Sequence, residues 1–492
     1  MEFATLPDRR AAQDPYGPAL ADSTTSLANT EMLDGVRAVA RRLDGLGIGA
    51  GDVVALKLNN RIDFVVLLFA AWRLGATVTP VNPSLTAGEV ARQVEDSGAR
   101  LLILEDDDAT VSTSEVPVLL VGEIYQAEGA DPAPCSDPAA LALLIYTSGT
   151  TGVPKGVMLD HANLDAMTAM GSEALELGHN DRCLLILPLF HVNGIVVSIL
   201  TPLLVGASVV IADRFNPNTF FETIERERPT FFSAVATIYS MLAALPEEVQ
   251  PDTSSVRFAV CGAAPASAEL LTRFQRRFGF PLVEGYGLSE GTCASTINPV
   301  SGIRKAGTVG RPFPGQELRI LDGEGNEVAP GEDGEVVVRG PNVMRGYLGR
   351  PADTAAVIVD GWLRTGDIGH VDADGYLTLV GRSKEMIIRG GENIYPKEIE
   401  DVLASDPSVL EAAVIGVPDE TWGEIVVAFV QARPGQTVDP KALEARCAAN
   451  LSGYKRPKRI HVVEALPKNA VGKLDKRSLR DIQVAGVAGT RS

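Results

Sequence analysis

Between Asn29 and Leu104 the chain alternates helical and extended patterns three times over, and this constrains its fold more than any other feature. "EMLDGVRAVARRLDGLG" carries apolar residues at helical spacing and stops at glycine, and "DVVALKL" follows as a strand. "DFVVLLFAAWRLG" reads as a buried helix and "ATVTPVN" as a strand, then "TAGEVARQVEDSG" as a helix and "ARLLILE" as a strand. Strands separated by helices pair in parallel, so the pattern predicts a layered α/β sheet. The second third repeats it with "PTFFSAV", a helix through "TIYSMLAAL", "VRFAVCG", a helix through "SAELLTRFQRRFG", and "PLVEGYG".

After about Lys305 the texture changes. "LDGEGNEVAPGEDGEVVVRG" and "HVDADGYLTLVGR" are short strands joined by Asp-Gly and Gly-rich turns, which predicts hairpins. "DADG" starts like an EF-hand loop but lacks the third ligand and the closing Glu, which excludes calcium. Beyond Arg382 a helix (Pro396 to Ala404), the strands "LEAAVIGV" and "EIVVAFVQA", a second helix (Pro440 to Asn450) and the strand "RIHVVEA" form a compact α+β unit. A chain of 492 residues exceeds what one core serves. The expected architecture is therefore a large layered α/β N-terminal domain with a β-rich hairpin subdomain, residues 1–381, and a small α+β C-terminal domain, 382–492.

The net charge of -19 excludes nonspecific nucleic-acid binding and adhesion to anionic membranes, both of which need basic patches. Five scattered cysteines with no C-x-x-C pair suggest neither a disulfide framework nor a zinc site, and a reducing compartment fits. "MEFATLPDRRAAQDP" has no apolar h-region and reads as cytoplasmic. Gly194 to Ala212 is uncharged over 19 residues, but Thr201-Pro202 and Gly206 interrupt it. It is expected to be a buried helix followed by a strand rather than a membrane span.

"YTSGTTGVPKG", Tyr146 to Gly156, surrounds one lysine with hydroxyls and glycines yet lacks the Walker spacing. It lies between two apolar runs, Leu141 to Tyr146 and Val157 to Leu159, and Asp160 is placed to cap the next helix. The expected form is strand, loop, strand, with hydroxyls and backbone N–H groups gripping a polyphosphate. A plain surface hairpin has the same composition. Further polar, Gly-rich stretches are "CGAAPAS" (261–267), "EGYGLSEGT" (284–292), "GWLRTGDIG" (361–369, with Asp367 expected in a turn), "GRSKEMIIRGGENIYPKEIE" (381–400) and "LPKNAVGKL" (466–474). Five such stretches beside the first are hard to explain as ordinary loops.

In these motifs and their order the sequence resembles the acyl-adenylate-forming (AMP-binding) superfamily, fatty-acyl-CoA synthetases in particular, from about Asn29 to Leu479. The resemblance implies that the small domain is mobile. It also implies a two-step reaction: a carboxylic acid and Mg-ATP give acyl-AMP and pyrophosphate, and a thiol then takes the acyl group. Thr147, Ser148, Gly149, Thr150, Thr151 and Lys155 would cradle the β- and γ-phosphates. Gly262, Ala263 and Ala264 would form a slot along the adenine, with Tyr286 stacking on its face beside Gly287. Ser289 would donate to the α-phosphate and Glu290 would hold Mg2+, a hard cation that wants oxygen ligands. Asp367 would accept from the ribose hydroxyls, helped by Arg382. Lys473 would bridge the attacking carboxylate and the α-phosphate, and Lys384 would be the hinge between domains. His191, in "PLFHVNG", would sit by the acyl channel with the catalytic residues, although a packed core histidine is the other reading. Ser289 stands where threonine is commoner, Cys261 where glycine or serine is usual, and Asn469 and Val471 where Thr and Ser are frequent.

The stretches expected to line the acyl pocket, Pro188 to Ala212, Thr230 to Leu245 and Val283 to Ile303, contain no Lys or Arg. Relatives that take dicarboxylates place an arginine just before the Tyr-Gly pair, where Gly285 stands here. A buried unpaired carboxylate is costly, so the expected substrate has an uncharged tail. Ile195, Val196, Val197, Ile199 and Leu200 suit a fatty acid, and an aryl acid fits nearly as well. Arg389, Gly390 and Gly391 in "RGGENIYP" resemble the loop that lines a pantetheine tunnel, glycine letting a thin chain pass against bare backbone. Coenzyme A is the simpler acceptor, and the phosphopantetheine of an acyl carrier protein is the alternative. An inactive nucleotide-binding relative would be expected to lack Glu290 or Lys473, and both are present. The oligomeric state is not readable.

Overall fold

The computed structural model describes residues 3–105, 116–126, 128–135, 137–147, 154–262, 266–419, 421–468 and 474–480. They form two compact units, Met1–Leu318 with Val337–Arg364, and Arg319–Val336 with Thr365–Ser492.

The first unit is built on two sheets. In the seven-stranded sheet the order is Gly346–Tyr347, Lys155–Asp160, Leu141–Thr147, Thr77–Pro80, Val53–Lys57, Ala99–Leu104 and Val118–Leu120. Val53–Lys57 pairs in parallel with both Thr77–Pro80 and Ala99–Leu104, as the alternating pattern requires. Helix Ile62–Arg73 is apolar on every face from Phe64 to Trp72 and accordingly buried there, with Trp72 Nε1 donating to the Ala142 carbonyl at 2.8 Å. The nine-stranded sheet has at its centre the parallel strands Leu282–Tyr286, Phe258–Gly262, Phe231–Val235, Arg182–Leu185 and Ser208–Ile211. An aromatic core that includes Phe220, Phe232, Tyr239 and Phe274 packs against this sheet.

The uncharged stretch expected to be a buried helix and strand is one. Val192–Ile195, a π-turn over Val196–Leu200 and Thr201–Leu204 run on into Ser208–Ile211. Among the described residues no helix is long and apolar enough to cross a membrane.

Ahead of the alternating region, helix Leu6–Gln13 and strands Pro18–Ala21 and Ser26–Ala28 extend the large sheet, Leu20 and Ala21 pairing with Val209 and Val210. Arg10 is buried there and donates to Asn29 Oδ1 (2.7 Å), the Leu203 carbonyl (2.6 Å) and the Pro18 carbonyl (3.2 Å). Burial brings its guanidinium down to about 10.

In the second unit Asp367–Val371 pairs antiparallel with Leu377–Arg382. A second sheet joins Glu392–Ile394, Ile387–Arg389, Gly423–Ala432 and Val409–Asp419, with Arg459–Val463 parallel to Gly423–Ala432. Helices Pro396–Ala404 and Pro440–Asn450 cover it through Ile399, Leu403, Leu443 and Cys447, and each begins with proline at a first-turn position whose N–H has no helical partner anyway.

Candidate active site

Two neighbouring parallel strands of the first unit deliver the expected adenine residues. Cys261 lies opposite Glu284 in register, so Gly262 and Tyr286 stand at the carboxyl ends of neighbouring parallel strands, the usual ligand edge of a parallel sheet. The chain then makes a tight turn, Ser289–Gly291, which carries Ser289 and Glu290. Thr292 (φ 54°) and Cys293 (φ 101°) follow in the left-handed region, a strain that persists only where the surroundings enforce it. Gly287 is required here, because a Cβ would lie 2.0 Å from the Cys293 carbonyl oxygen. Cys261 is buried, and burial pushes its thiol well above the ordinary range, so it acts as a small apolar filler of the core that packs on this sheet.

The stretch Tyr146 to Gly156 has the expected flanks. Leu141–Thr147 and Lys155–Asp160 are antiparallel strands with Thr147 opposite Lys155, and Asp160 caps the following helix by accepting from the Asn163 N–H at 2.8 Å. Next to the last pair of these strands the Tyr146 hydroxyl donates to Asp96 Oδ2 at 2.6 Å. Lys155 Nζ is 2.9 Å from Asp353 Oδ2 and 5.0 Å from the centre of the Tyr347 ring. The hydroxyl of that tyrosine donates to Glu290 Oε1 at 2.8 Å. Burial, and next the Glu290 charge, push the Tyr347 hydroxyl upward, so it stays a protonated donor.

Glu290 Oε2 makes no hydrogen bond among the described residues, and a half-buried carboxylate with one oxygen held and one presented fits a hard cation. Among the described residues no group of three or more His, Cys, Asp or Glu side chains would hold a metal unaided. A cation carried by a phosphate ligand suits this donor set.

In the second unit Asp367 is buried, with Arg382 Nε 2.9 Å from its Oδ1. The expectation of a turn at Asp367 is corrected. It lies within strand Trp362–Val371, opposite Arg382, after Gly366 at φ 71° and just before a register shift at Ile368–Gly369. "RGGENIYP" is a hairpin whose tip is Gly390–Gly391, at φ 60° and 89°. The Gly390 N–H donates to the Trp422 carbonyl at 2.8 Å, and a Cβ at Gly390 would meet the Trp422 ring at 3.0 Å. Arg389 is buried, with its guanidinium 5.3 Å from that ring. Lys384 is exposed in the short turn Ser383–Glu385.

His191 is half-buried at the start of helix Val192–Ile195, its ring 4.4 Å from that of Phe190. Nearby, Ser233 Oγ donates to Asn193 Oδ1 at 3.1 Å. Ser148, Gly149, Thr150, Thr151, Ala263, Ala264 and Lys473 lie outside the described residues.

Sequence reasoning missed Tyr347, Asp353 and Lys476. "RGYLGRPADT" carries no chemical signature, and the first two residues meet Glu290 and Lys155 only through tertiary pairing. Lys476 lies half-buried between Glu385 and Glu400, 2.8 Å from each, and so ties the start of the last described helix to the Ser383–Glu385 turn. Its position three residues after Lys473 was the available signal.

Residues 7–348 match the family described as AMP-binding enzyme, and residues 398–473 match the AMP-binding enzyme C-terminal domain. The chain belongs to the AMP-binding enzyme family. It is 38% identical over 483 residues to a feruloyl-CoA synthase of an Amycolatopsis species, covering 97% of this chain and 98% of that one. To the 2-succinylbenzoate–CoA ligase of Geobacillus kaustophilus it is 39% identical over 487 residues, with 97% and 98% covered. Among solved structures, ATP-bound MatB from Rhodopseudomonas palustris matches with a TM-score of 0.92 at 30% identity, over 98% of this chain and 99% of that one. The two relatives are CoA ligases, that is, acid–thiol ligases. The fold is the mixed α/β adenylate-forming fold, with a large N-terminal and a small C-terminal domain.

Proposed function

We propose that this AMP-binding enzyme is an AMP-forming CoA ligase for a monocarboxylic acid with an uncharged tail. The reaction class follows the relatives, and the observation that carries it is the meeting of Glu290, Tyr347 and Lys155 beside the carboxyl edge where Gly262 and Tyr286 stand. In the first step the substrate carboxylate attacks the α-phosphorus of ATP and pyrophosphate leaves. Lys155 and the hydroxyls of Thr147, Ser148, Thr150 and Thr151 grip the phosphates, Ser289 donates to the α-phosphate, and Asp367 accepts from the ribose. Glu290 would hold Mg2+, which supplies charge neutralisation at the phosphates. Lys473 offsets the charge that develops between carboxylate and phosphate. In the second step the thiol of CoA attacks the acyl carbon and AMP leaves, with Arg389, Gly390 and Gly391 guiding the pantetheine.

The same proposal makes residues 382–492 the mobile domain, turning at Lys384 between the two steps. Lys473→Ala should therefore cut acyl-adenylate formation by about 10²–10³, the loss typical of one preorganised donor, and leave thioester formation from supplied acyl-AMP nearly intact. Equal losses in both half-reactions, measured before steady state, would refute the alternation.

The relatives do not agree on the tail. Feruloyl is uncharged, whereas 2-succinylbenzoate has a second carboxylate. Here the absence of Lys and Arg from the three pocket stretches supports the uncharged tail. At Gly285 a Cβ would already lie 3.1 Å from the Thr296 carbonyl oxygen, which leaves little room for a larger residue. Between the two uncharged readings, the relatives named here support an aryl acid, and the fatty-acid reading rests on the Ile195 to Leu200 aliphatics alone. Pyrophosphate release with ATP and a panel of ferulate, benzoate, octanoate, malonate and oxalate tests this. Faster turnover on malonate or oxalate than on ferulate and octanoate would overturn it. Offering CoA and an acyl carrier protein side by side tests the acceptor, with transfer to CoA expected.

A further inference from the structure

We propose that Tyr347 is a positioning residue for adenylate formation: its hydroxyl holds one oxygen of Glu290 so that the other faces the cation accompanying ATP, and its ring supports the Lys155 ammonium. This rests on the reading of Glu290 as a cation ligand and Lys155 as a phosphate ligand.

Tyr347 is itself fixed from both directions. It lies in strand Gly346–Tyr347, which pairs with Met158 and Val157 on the strand that begins at Lys155. Its own N–H donates to Thr354 Oγ1 at 2.9 Å, and the next residue, Leu348, donates to the Gly156 carbonyl at 2.8 Å. Tyr347 is therefore tied to the strand that begins at Lys155, opposite Val157 and two residues along from Lys155, which places its ring against the Lys155 ammonium.

The same short segment braces that turn from below. The Met344 N–H donates to the Glu290 carbonyl at 2.8 Å, Asn342 Nδ2 to the Gly291 carbonyl at 2.7 Å, and Thr292 Oγ1 to the Asn342 carbonyl at 2.5 Å. These contacts hold the left-handed Thr292 and Cys293 in place. They fix the backbone of Glu290 but leave its carboxylate free to rotate. Only the Tyr347 hydroxyl, among the described residues, removes that freedom.

A carboxylate with one oxygen already held loses less orientational freedom when it meets a cation, which is how an outer hydrogen bond raises metal affinity. Support of Lys155 is a separate function of the ring, a cation–π contact that survives loss of the hydroxyl.

Tyr347→Phe separates the two functions. The probe is Mn2+ binding to the full-length enzyme saturated with α,β-methylene-ATP, followed by electron paramagnetic resonance. Tyr347→Phe should weaken Mn2+ binding about tenfold, the lower end of the range for loss of an outer hydrogen-bond partner. Metal-free binding of the nucleotide and thioester formation from supplied acyl-AMP should stay within about twofold of the parent. Tyr347→Leu should also weaken metal-free nucleotide binding, because the Lys155 support is gone. In a double-mutant cycle, adding Tyr347→Phe to Glu290→Gln should cost no further Mn2+ affinity. Unchanged Mn2+ binding in Tyr347→Phe, with Glu290→Gln impaired, would overturn the proposal alone. Unchanged Mn2+ binding in Glu290→Gln would overturn the reading of Glu290 and this proposal with it. Equal loss of Mn2+ binding, metal-free nucleotide binding and thioester formation in Tyr347→Phe would make Tyr347 a fold brace and refute the positioning role.

Discussion

Each compact unit carries one acid–base pair expected to meet ATP, and the two pairs are built in opposite senses. In the first unit the sheltered member is the cation: the Lys155 side chain is 18% exposed and its partner Asp353 is 42% exposed. In the second the sheltered member is the anion: Asp367 is 5% exposed and its partner Arg382 is 56% exposed. In both cases the fold shelters the group assigned to the ligand and leaves its counterion near water. An ion pair with one solvated partner contributes little, of the order of 0–1 kcal/mol, and can be exchanged for a ligand at small cost. The sheltered groups should therefore govern affinity while the solvated ones tune it.

The strongest way to break this comparison is Lys155→Met, which should raise the dissociation constant for Mg-ATP about a hundredfold, because charge-assisted bonds to phosphate lie at the strong end of the scale. Asp367→Ala removes acceptors for neutral ribose hydroxyls and should raise it roughly ten- to a hundred-fold, without exceeding Lys155→Met. Calorimetry that reversed the order would show that burial and not charge type sets the contribution. Arg382→Gln should weaken binding by no more than about fivefold. Asp353→Asn is the sharpest test despite the smallest effect: binding should tighten, by a few-fold at most, because Lys155 no longer exchanges one anion for another. Weaker ATP binding in Asp353→Asn would show that the aspartate aims the lysine rather than competing for it.

Most of the fold was legible because its signals are local. Helices Pro396–Ala404 and Pro440–Asn450 start and stop where proline and the apolar spacing place them, and Asp160 caps as its side chain dictates. What escaped depends on distant pairing. Pro18–Ala21 is too short to show a period, and it joins the large sheet through Val209 and Val210, nearly 190 residues away. Asp367 lies between Gly366 and Gly369, which suggests a turn, yet pairing with Leu377–Arg382 draws it into a strand. Among the candidate site residues, motif resemblance proposed Lys155, Glu290 and Asp367. It had no means of finding Tyr347 or Asp353, whose importance comes from what touches them.

The buried Arg10 sets a practical limit on where this chain can be cut. The recognisable alternation begins at Asn29, and a truncation there would look harmless on a motif map. It would remove the donor for the Leu203 carbonyl and for Asn29 itself, and it would uncover the Trp72 face that Phe3 covers. Acceptors stranded in this way cost about 1–3 kcal/mol each, a large part of a domain's stability. The segment from Phe3 to Gln13 is thus a wedge seated against Trp72, Asn29 and Leu203, and expression boundaries or amino-terminal fusions should be chosen to leave that wedge in place.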